Sequence, residues 1–186
     1  MNHKGIKKIV ITGPESTGKT MLAEFLANHY HTQFVPEYAR EYIGGLIRPY
    51  CYKDVEFIAR KQVEMEKIFM EKASKILFYD TWLIITKTWF QVVYGKYPEW
   101  LDQKLRESSI DLYLLCYFDI PWIPDPLREN PGKMRKKLFH IYQDEIKKTA
   151  VPSGIVKGKG DTRFNNALEI VNRFLDNQNL DISGFQ

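Results

Sequence analysis

The sequence predicts an α/β fold: three layers built around a central, mostly parallel sheet of about five strands. Three observations carry that expectation. Short apolar runs alternate with helix-patterned stretches along the 186 residues. Residues 13–20 read Gly-Pro-Glu-Ser-Thr-Gly-Lys-Thr, which matches G-x-x-x-x-G-K-T, the phosphate-binding P-loop of NTPase folds. That motif follows the β-branched run Ile9-Val10-Ile11-Thr12 and opens a stretch, Thr20 to Ala27, with apolar residues at helical spacing.

In chain order, the expected strands are Lys8–Thr12, His31–Pro36 (ending at Glu37), Lys75–Tyr79 (ending at Asp80), Asp111–Phe118 (ending at Asp119) and Gly154–Lys157 (ending at Gly158). Helical patterns cover Lys19–Tyr30, Tyr38–Leu46, Lys53–Lys72, Thr81–Tyr94, Pro98–Ser108, Pro131–Lys148 and Asp161–Asn177. Right-handed crossovers would bring the carboxyl ends of parallel strands to one edge of the sheet, where α/β folds bind ligands. We find no repeat and no linker, so 1–186 reads as one domain, with the proline-rich segment at approximately 120–137 as its lid.

Composition narrows the class. A hydrophobic share of 44% and a charged share of 27% are those of a soluble globular protein. The net charge of +4 is too small to demand nucleic acid or a membrane surface. Two cysteines form no disulfide framework: Cys116 lies in an apolar run and Cys51 between tyrosines in a polar connection. With no signal-peptide pattern and no apolar run of about 20 residues, the expected location is cytoplasmic. Nothing in the pattern fixes an oligomeric state. The four histidines show no metal spacing, which argues against zinc chemistry.

The P-loop names the ligand class. Gly13 and Gly18 let backbone N–H groups of the loop, with Glu15, Ser16 and Thr17 between them, wrap a polyphosphate. Lys19 adds a mobile positive charge, and Thr20 offers a hydroxyl to Mg²⁺. The helix behind turns its positive end to the anion. The expected cofactors are therefore ATP and Mg²⁺.

The strand ends supply candidates for the chemistry. Asp80 stands where a P-loop enzyme places its metal-linked carboxylate, and it can equally cap the following helix, with Thr81 beside the nucleotide. Glu37 would face the γ-phosphate and accept or hold an acceptor hydroxyl. Arg40, one turn later, could bind phosphate or pair locally with Glu37. Glu37 and Asp80 both stand as candidates for the general base. In the lid, Arg128 is the expected arginine steadying the transferring phosphoryl group, with Arg135 as runner-up and Lys136 and Lys137 as a solvated face. Gly158, in Gly158-Lys159-Gly160, would let the backbone approach adenine or simply form a strand–helix turn. The aromatics Trp82, Trp89, Phe90, Tyr94, Tyr97 and Trp100 read mostly as core, with Tyr94 singled out to stack on a flat acceptor ring.

Together these segments carry a resemblance. The loop Gly13–Thr20, Pro36-Glu37-Tyr38-Ala39-Arg40-Glu41, Tyr79-Asp80-Thr81, Tyr94-Gly95-Lys96 and Trp122-Ile123-Pro124-Asp125-Pro126-Leu127-Arg128 occur in the order seen in the ribosylnicotinamide kinase domain of NadR-type proteins. The resemblance runs from Ile9 to about Leu175 and looks closest to single-domain relatives with V-P-E-Y-A-R-E. It implies transfer of the γ-phosphate of ATP to the 5′-hydroxyl of nicotinamide riboside, with Tyr38 and Trp122 joining Glu37, Arg40 and Tyr94 at the acceptor. The expected partner is a small molecule of this kind. The alternatives are a kinase of another nucleoside or vitamin alcohol, and a nucleotide-binding regulatory module without catalysis. A nucleic-acid end kinase is disfavoured by the few basic residues near Lys133–Lys137 and Lys147-Lys148.

Overall fold

In the computed structural model, which describes residues 5–183, the expected sheet is present. The strands are β1 (Lys7–Thr12), β2 (Gln33–Val35), β3 (Ile76–Asp80), β4 (Leu112–Cys116) and β5 (Ser153–Val156). They lie in the order β2-β3-β1-β4-β5, and every pair is parallel. The helices are α1 (Lys19–His29), α2 (Tyr38–Gly44), α3 (Tyr52–Met70), α4 (Leu83–Tyr94), α5 (Glu99–Glu107), α6 (Gly132–Lys148) and α7 (Asp161–Ser183).

Strand alternation divides the core in two. Ile9, Ile11, Phe78, Leu112 and Leu114 pack with α1 and α7 on one face. Val10, Leu77, Tyr79, Tyr113 and Leu115 pack with α3, α4 and α6 on the other. Strands buried on both faces read as continuous apolar runs, which is why β1, β3 and β4 are conspicuous in the sequence. Cys116 is buried and Cys51 exposed, both free. No helix among the described residues is long and apolar enough to cross a membrane.

Element ends shift from expectation for local reasons. His31 sits at φ 51°, a turn geometry, so β2 begins only at Gln33. Thr81 sits at φ 66°, outside helical space, so α4 starts at Leu83 with Trp82 as N-cap; Asp80 caps nothing. Helix α7 continues to Ser183 rather than stopping at Asn177.

A buried ionic cluster ties the sheet to α3 and α5. The Glu66 carboxylate accepts from Lys8 Nζ (2.9 Å) and Tyr79 Oη (2.9 Å), and Lys104 Nζ lies 3.8 Å away. Lys8 also reaches the Ser108 carbonyl at 3.0 Å. Burial, followed by Glu66, drives the Tyr79 phenol far above its ordinary range. Glu66→Ala leaves Lys8 and Tyr79 facing a low-dielectric gap. It should cost about 3–5 kcal/mol, the range for breaking a buried pair by removing one partner. Urea unfolding with an unchanged m-value checks this; a loss below about 1 kcal/mol contradicts it.

Candidate active site

The phosphate loop is shaped by backbone that few residues tolerate. Gly13 has φ 141°, and a Cβ there would lie 2.8 Å from the Cys116 carbonyl oxygen, so β4 itself excludes any side chain. Gly18 (φ 73°) opens α1 from the left-handed region, and Ser16 adopts φ 57°. Among the described residues, the backbone amides of Glu15, Ser16 and Gly18 donate to no protein acceptor. These N–H groups form a nest at the positive end of α1, ready for an anion. Lys19 Nζ rests on the Pro14 carbonyl at 3.0 Å.

Two buried arginines hold this loop from behind. Arg163, 4% exposed, donates to the carbonyls of Thr17 (2.8 Å), Tyr117 (2.9 Å) and Gly158 (3.0 Å) and to Asp119 Oδ1 (2.9 Å). Arg135, on α6, donates to the carbonyls of Glu15 (3.1 Å), Ser16 (2.6 Å) and Ile120 (2.9 Å). Sequence reasoning missed Arg163 entirely and ranked Arg135 second. A carbonyl clamp leaves no motif, because its partners are backbone atoms.

Glu37 follows β2 as the N-cap residue of α2 and lines the cleft beside Lys19 and Arg40. Buried Gln62 of α3 brackets it, accepting from the Tyr38 amide (3.2 Å) and donating to the Pro36 carbonyl (3.1 Å). Burial raises the Glu37 carboxyl above its ordinary range, Lys19 and Arg40 pull it down, and Asp80 pushes it up again. Asp80 is 1% exposed at the end of β3. Its Oδ2 accepts from Thr20 Oγ1 at 2.6 Å, while Oδ1 has no partner. Burial raises Asp80 as well, against Lys19 and the Thr20 bond. A hydroxyl beside a carboxylate with one orphaned buried oxygen is a hard-oxygen pair that fits Mg²⁺.

The cleft has a volume of about 560 Å³. Its lining combines the phosphate loop (Gly13, Glu15, Ser16, Thr17, Gly18, Lys19 and Thr20) with the aromatic and apolar side chains of Tyr50, Trp89, Val92, Val93, Leu138 and Tyr142. The irregular segment 117–131 contributes to the same lining. Ile123 donates its amide to Ser16 Oγ (3.0 Å), and Glu15 accepts the amides of Glu129 and Asn130 (3.0 Å each). Arg128 reaches the Ile123 carbonyl (2.5 Å) and lies 3.5 Å from Ser16 Oγ. Arg40 pairs with Asp125 rather than with Glu37.

Several expected site residues lie outside the lining. Tyr94 packs on Tyr52 and Phe90 in the core, whereas Trp89 and Tyr50 line the cleft. Tyr94 is the last residue of α4, before the Gly95 cap, and is absent from the cleft lining. Tyr38 stacks on Tyr42 and Phe57. Trp122 lies beneath the Arg135 guanidinium, 5.8 Å from its ring. Thr81 donates its amide to the Ile11 carbonyl, and Gly158 donates its own to Asp119 Oδ2 at 2.7 Å, so both serve the backbone around the site. Lys136 and Lys137 are exposed, as a solvated face requires.

A parallel sheet in this strand order with a phosphate loop after its central strand defines a P-loop nucleotide-binding domain with the fold of nucleoside and nucleotide kinases. The chain belongs to the AAA domain family AAA_28, whose model matches residues 8–163. Among curated proteins it is similar to the trifunctional NAD biosynthesis/regulator protein NadR of Salmonella typhimurium (27% identity) and of Escherichia coli K12 (26%), in each case over 93% of this chain and 44% of the relative. The chain thus spans less than half the length of these relatives. In structure it resembles a NadR protein in complex with NR (TM-score 0.77, 20% identity, 92% of this chain and 51% of that one). It also resembles NadR in complex with NAD and AMP-PNP (0.71, 21%, 92% and 50%). Deoxyadenosine kinase from M. mycoides shares the fold (0.61, 13%, 89% and 98%).

Two predictions follow the geometry. Because Glu37 is raised above its ordinary 4.5, the folded nucleotide-free protein binds more protons here than the unfolded chain. Its stabilising contribution is complete below about pH 4.5 and is lost as pH rises through the raised value. Glu37→Gln should therefore gain stability relative to the natural protein as pH increases across that window, read as denaturant midpoints from pH 4 to 8; a constant difference contradicts the shift. Arg163→Lys, which cannot serve four acceptors at once, should weaken nucleotide binding by roughly tenfold or more while leaving a folded protein, checked by calorimetry against a thermal melt.

Proposed function

We propose that this protein is an ATP-dependent kinase that phosphorylates the 5′-hydroxyl of a riboside, with nicotinamide riboside as the acceptor. The observation that carries the reading is the single cleft lined both by the phosphate loop with Lys19 and by Glu37 and aromatic side chains. A lone nucleotide-binding module has no need of that aromatic lining. The names of the relatives, which include NAD biosynthesis, and the NadR structure with NR support the same acceptor.

The residues divide the work. The nest and Lys19 take the β- and γ-phosphates, Lys19 exchanging its Pro14 carbonyl for phosphate oxygens. Thr20 and Asp80 would hold Mg²⁺, which supplies charge neutralisation on the phosphate oxygens when bound. Glu37, whose proton affinity burial raises and which lies beside Lys19, holds the acceptor hydroxyl and, as the carboxylate, takes its proton. Arg40 and Arg128 both line the cleft and would neutralise charge on the transferring group. The segment 120–137 acts as the lid, excluding water so that the hydroxyl and not solvent receives the phosphoryl group.

Incubating the protein with Mg-ATP and a panel of ribosides tests this. Nicotinamide riboside should release ADP and form nicotinamide mononucleotide, and Lys19→Ala should lower kcat by at least about 100-fold, the scale of a lost charge-stabilising group. Tight nucleotide binding without acceptor-dependent ADP from any riboside would overturn the reading and leave a binding module in its place.

A further inference from the structure

Glu15 is an acid inside a loop built for anions. It lines the cleft, where its charge opposes a polyphosphate. Its side chain is taken up by the segment 117–131. Oε2 accepts the amides of Glu129 and Asn130 at 3.0 Å each, and Oε1 accepts the Asn130 side-chain amide at 3.1 Å. Three N–H donors on one carboxylate form a charge-assisted anchor and offset the negative charge beside the nest. Ser16, the next residue, holds the same segment at a second point, its Oγ accepting the Ile123 amide at 3.0 Å. Arg128 lies in sequence between these anchors. Its amide donates to the Asp125 carbonyl at 3.0 Å, and its guanidinium donates to the Ile123 carbonyl at 2.5 Å and lies 3.5 Å from Ser16 Oγ. The two residues whose main-chain amides face the nest thus hold, by their side chains, the segment that carries the arginine.

We infer that Glu15, through Asn130, is a positioning residue for Arg128: it registers the arginine to the same loop that holds the phosphates. The inference rests on the riboside-kinase reading, in which Arg128 neutralises charge on the transferring group, and deepens it. A reacting group displaced by about 1 Å costs on the order of 100-fold in rate, so a shared anchor for phosphate and arginine has a catalytic consequence. The carboxylate is the side chain the anchor requires. A glutamine has one oxygen where the segment presents donors to two, and its own N–H would face the Asn130 amide.

Exchanging the two partners tests this on the full chain. Glu15→Gln sets one side-chain amide against another, and Asn130→Asp sets two carboxylates against each other. In the double variant the new glutamine accepts both main-chain amides on its oxygen and donates to the new aspartate, so all three bonds re-form. With Mg-ATP and nicotinamide riboside, each single substitution should lower kcat about tenfold or more, and the double variant should return to within about threefold of the natural protein. ADP, read by calorimetry, should bind Glu15→Gln no more weakly than the natural protein, whereas a loop that had merely collapsed would lose it. Added to Arg128→Ala, Glu15→Gln should lower kcat no further, because its effect passes through the arginine. An unrescued double variant, weakened ADP binding, or a further loss on Arg128→Ala would overturn the inference. Amide exchange at Glu129 and Asn130, followed by NMR without substrate, keeps the two readings apart. Exchange that is slow in the natural and double proteins and fast in the single variants, with no riboside turned over, keeps the anchor and removes the kinase. Turnover that none of these substitutions alters leaves the kinase and removes the positioning role.

Discussion

A backbone that points its amides at an anion must point its carbonyls somewhere else, and that requirement organises this molecule. The carbonyls of residues 14–18 all turn away from the nest and all find donors. Pro14 takes the Thr17 hydroxyl and Lys19, Glu15 and Ser16 take Arg135, Thr17 takes Arg163, and Gly18 takes the Leu22 amide. Leaving one buried acceptor unpaired costs on the order of 1–3 kcal/mol, so the loop holds its shape only because these donors arrive from α1, α6 and α7. The two arginines also place fixed positive charge under a site for a polyanion. Burial lowers the Arg135 pKa, against the raising effect of Asp119, and leaves the guanidinium charged at neutral pH.

The sheet order explains why acids gather beside that site. With β1 central and β3 its neighbour, the ends of β2 and β3 bring Glu37 and Asp80 next to Lys19 on one rim. Two carboxylates under burial share one ammonium, and both respond by holding protons more firmly. Their arrangement costs stability in the empty protein, and a metal–phosphate complex would relieve it by adding cationic charge. Two of the five described non-glycine residues in the left-handed region, Ser16 and Thr81, stand at this rim; the other three, His31, Ser109 and Ala150, precede β2, β4 and β5.

Much of this was legible from residues alone, for identifiable reasons. The loop 13–20 is a local solution to a local problem, so its glycines, lysine and threonine stand in sequence as they act in space. The strands buried on both faces announced themselves by continuous apolar runs. Glu37 and Asp80 could be placed at the ends of β2 and β3 because those strands are predictable and acids there are rare. The rest of the cleft lining was not legible. Tyr50 belongs to a loop, Trp89 to the middle of α4 and Glu129 to segment 117–131, and no spacing rule links them. Tyr94 was singled out over Trp89, the one that lines the cleft, because sequence offers no means of telling which side of α4 faces a cleft that other elements close. The arginine clamps escaped for the same reason: a side chain that binds carbonyls imposes no residue type on its partners.

The segment 117–131 ties the phosphate loop to the rest of the cleft. Toward the loop it is held by the Ile123 amide on Ser16 Oγ, by the Asn130 amide and side chain on Glu15, and by Arg135 on the Ile120 carbonyl. It meets other elements through exposed side-chain contacts, Arg40 to Asp125 and Tyr50 to Glu129. An exposed ion pair is worth less than about 1 kcal/mol, so the Arg40–Asp125 pair does not fix the segment by itself and acts together with the hydrogen bonds to Glu15, Ser16 and Arg135.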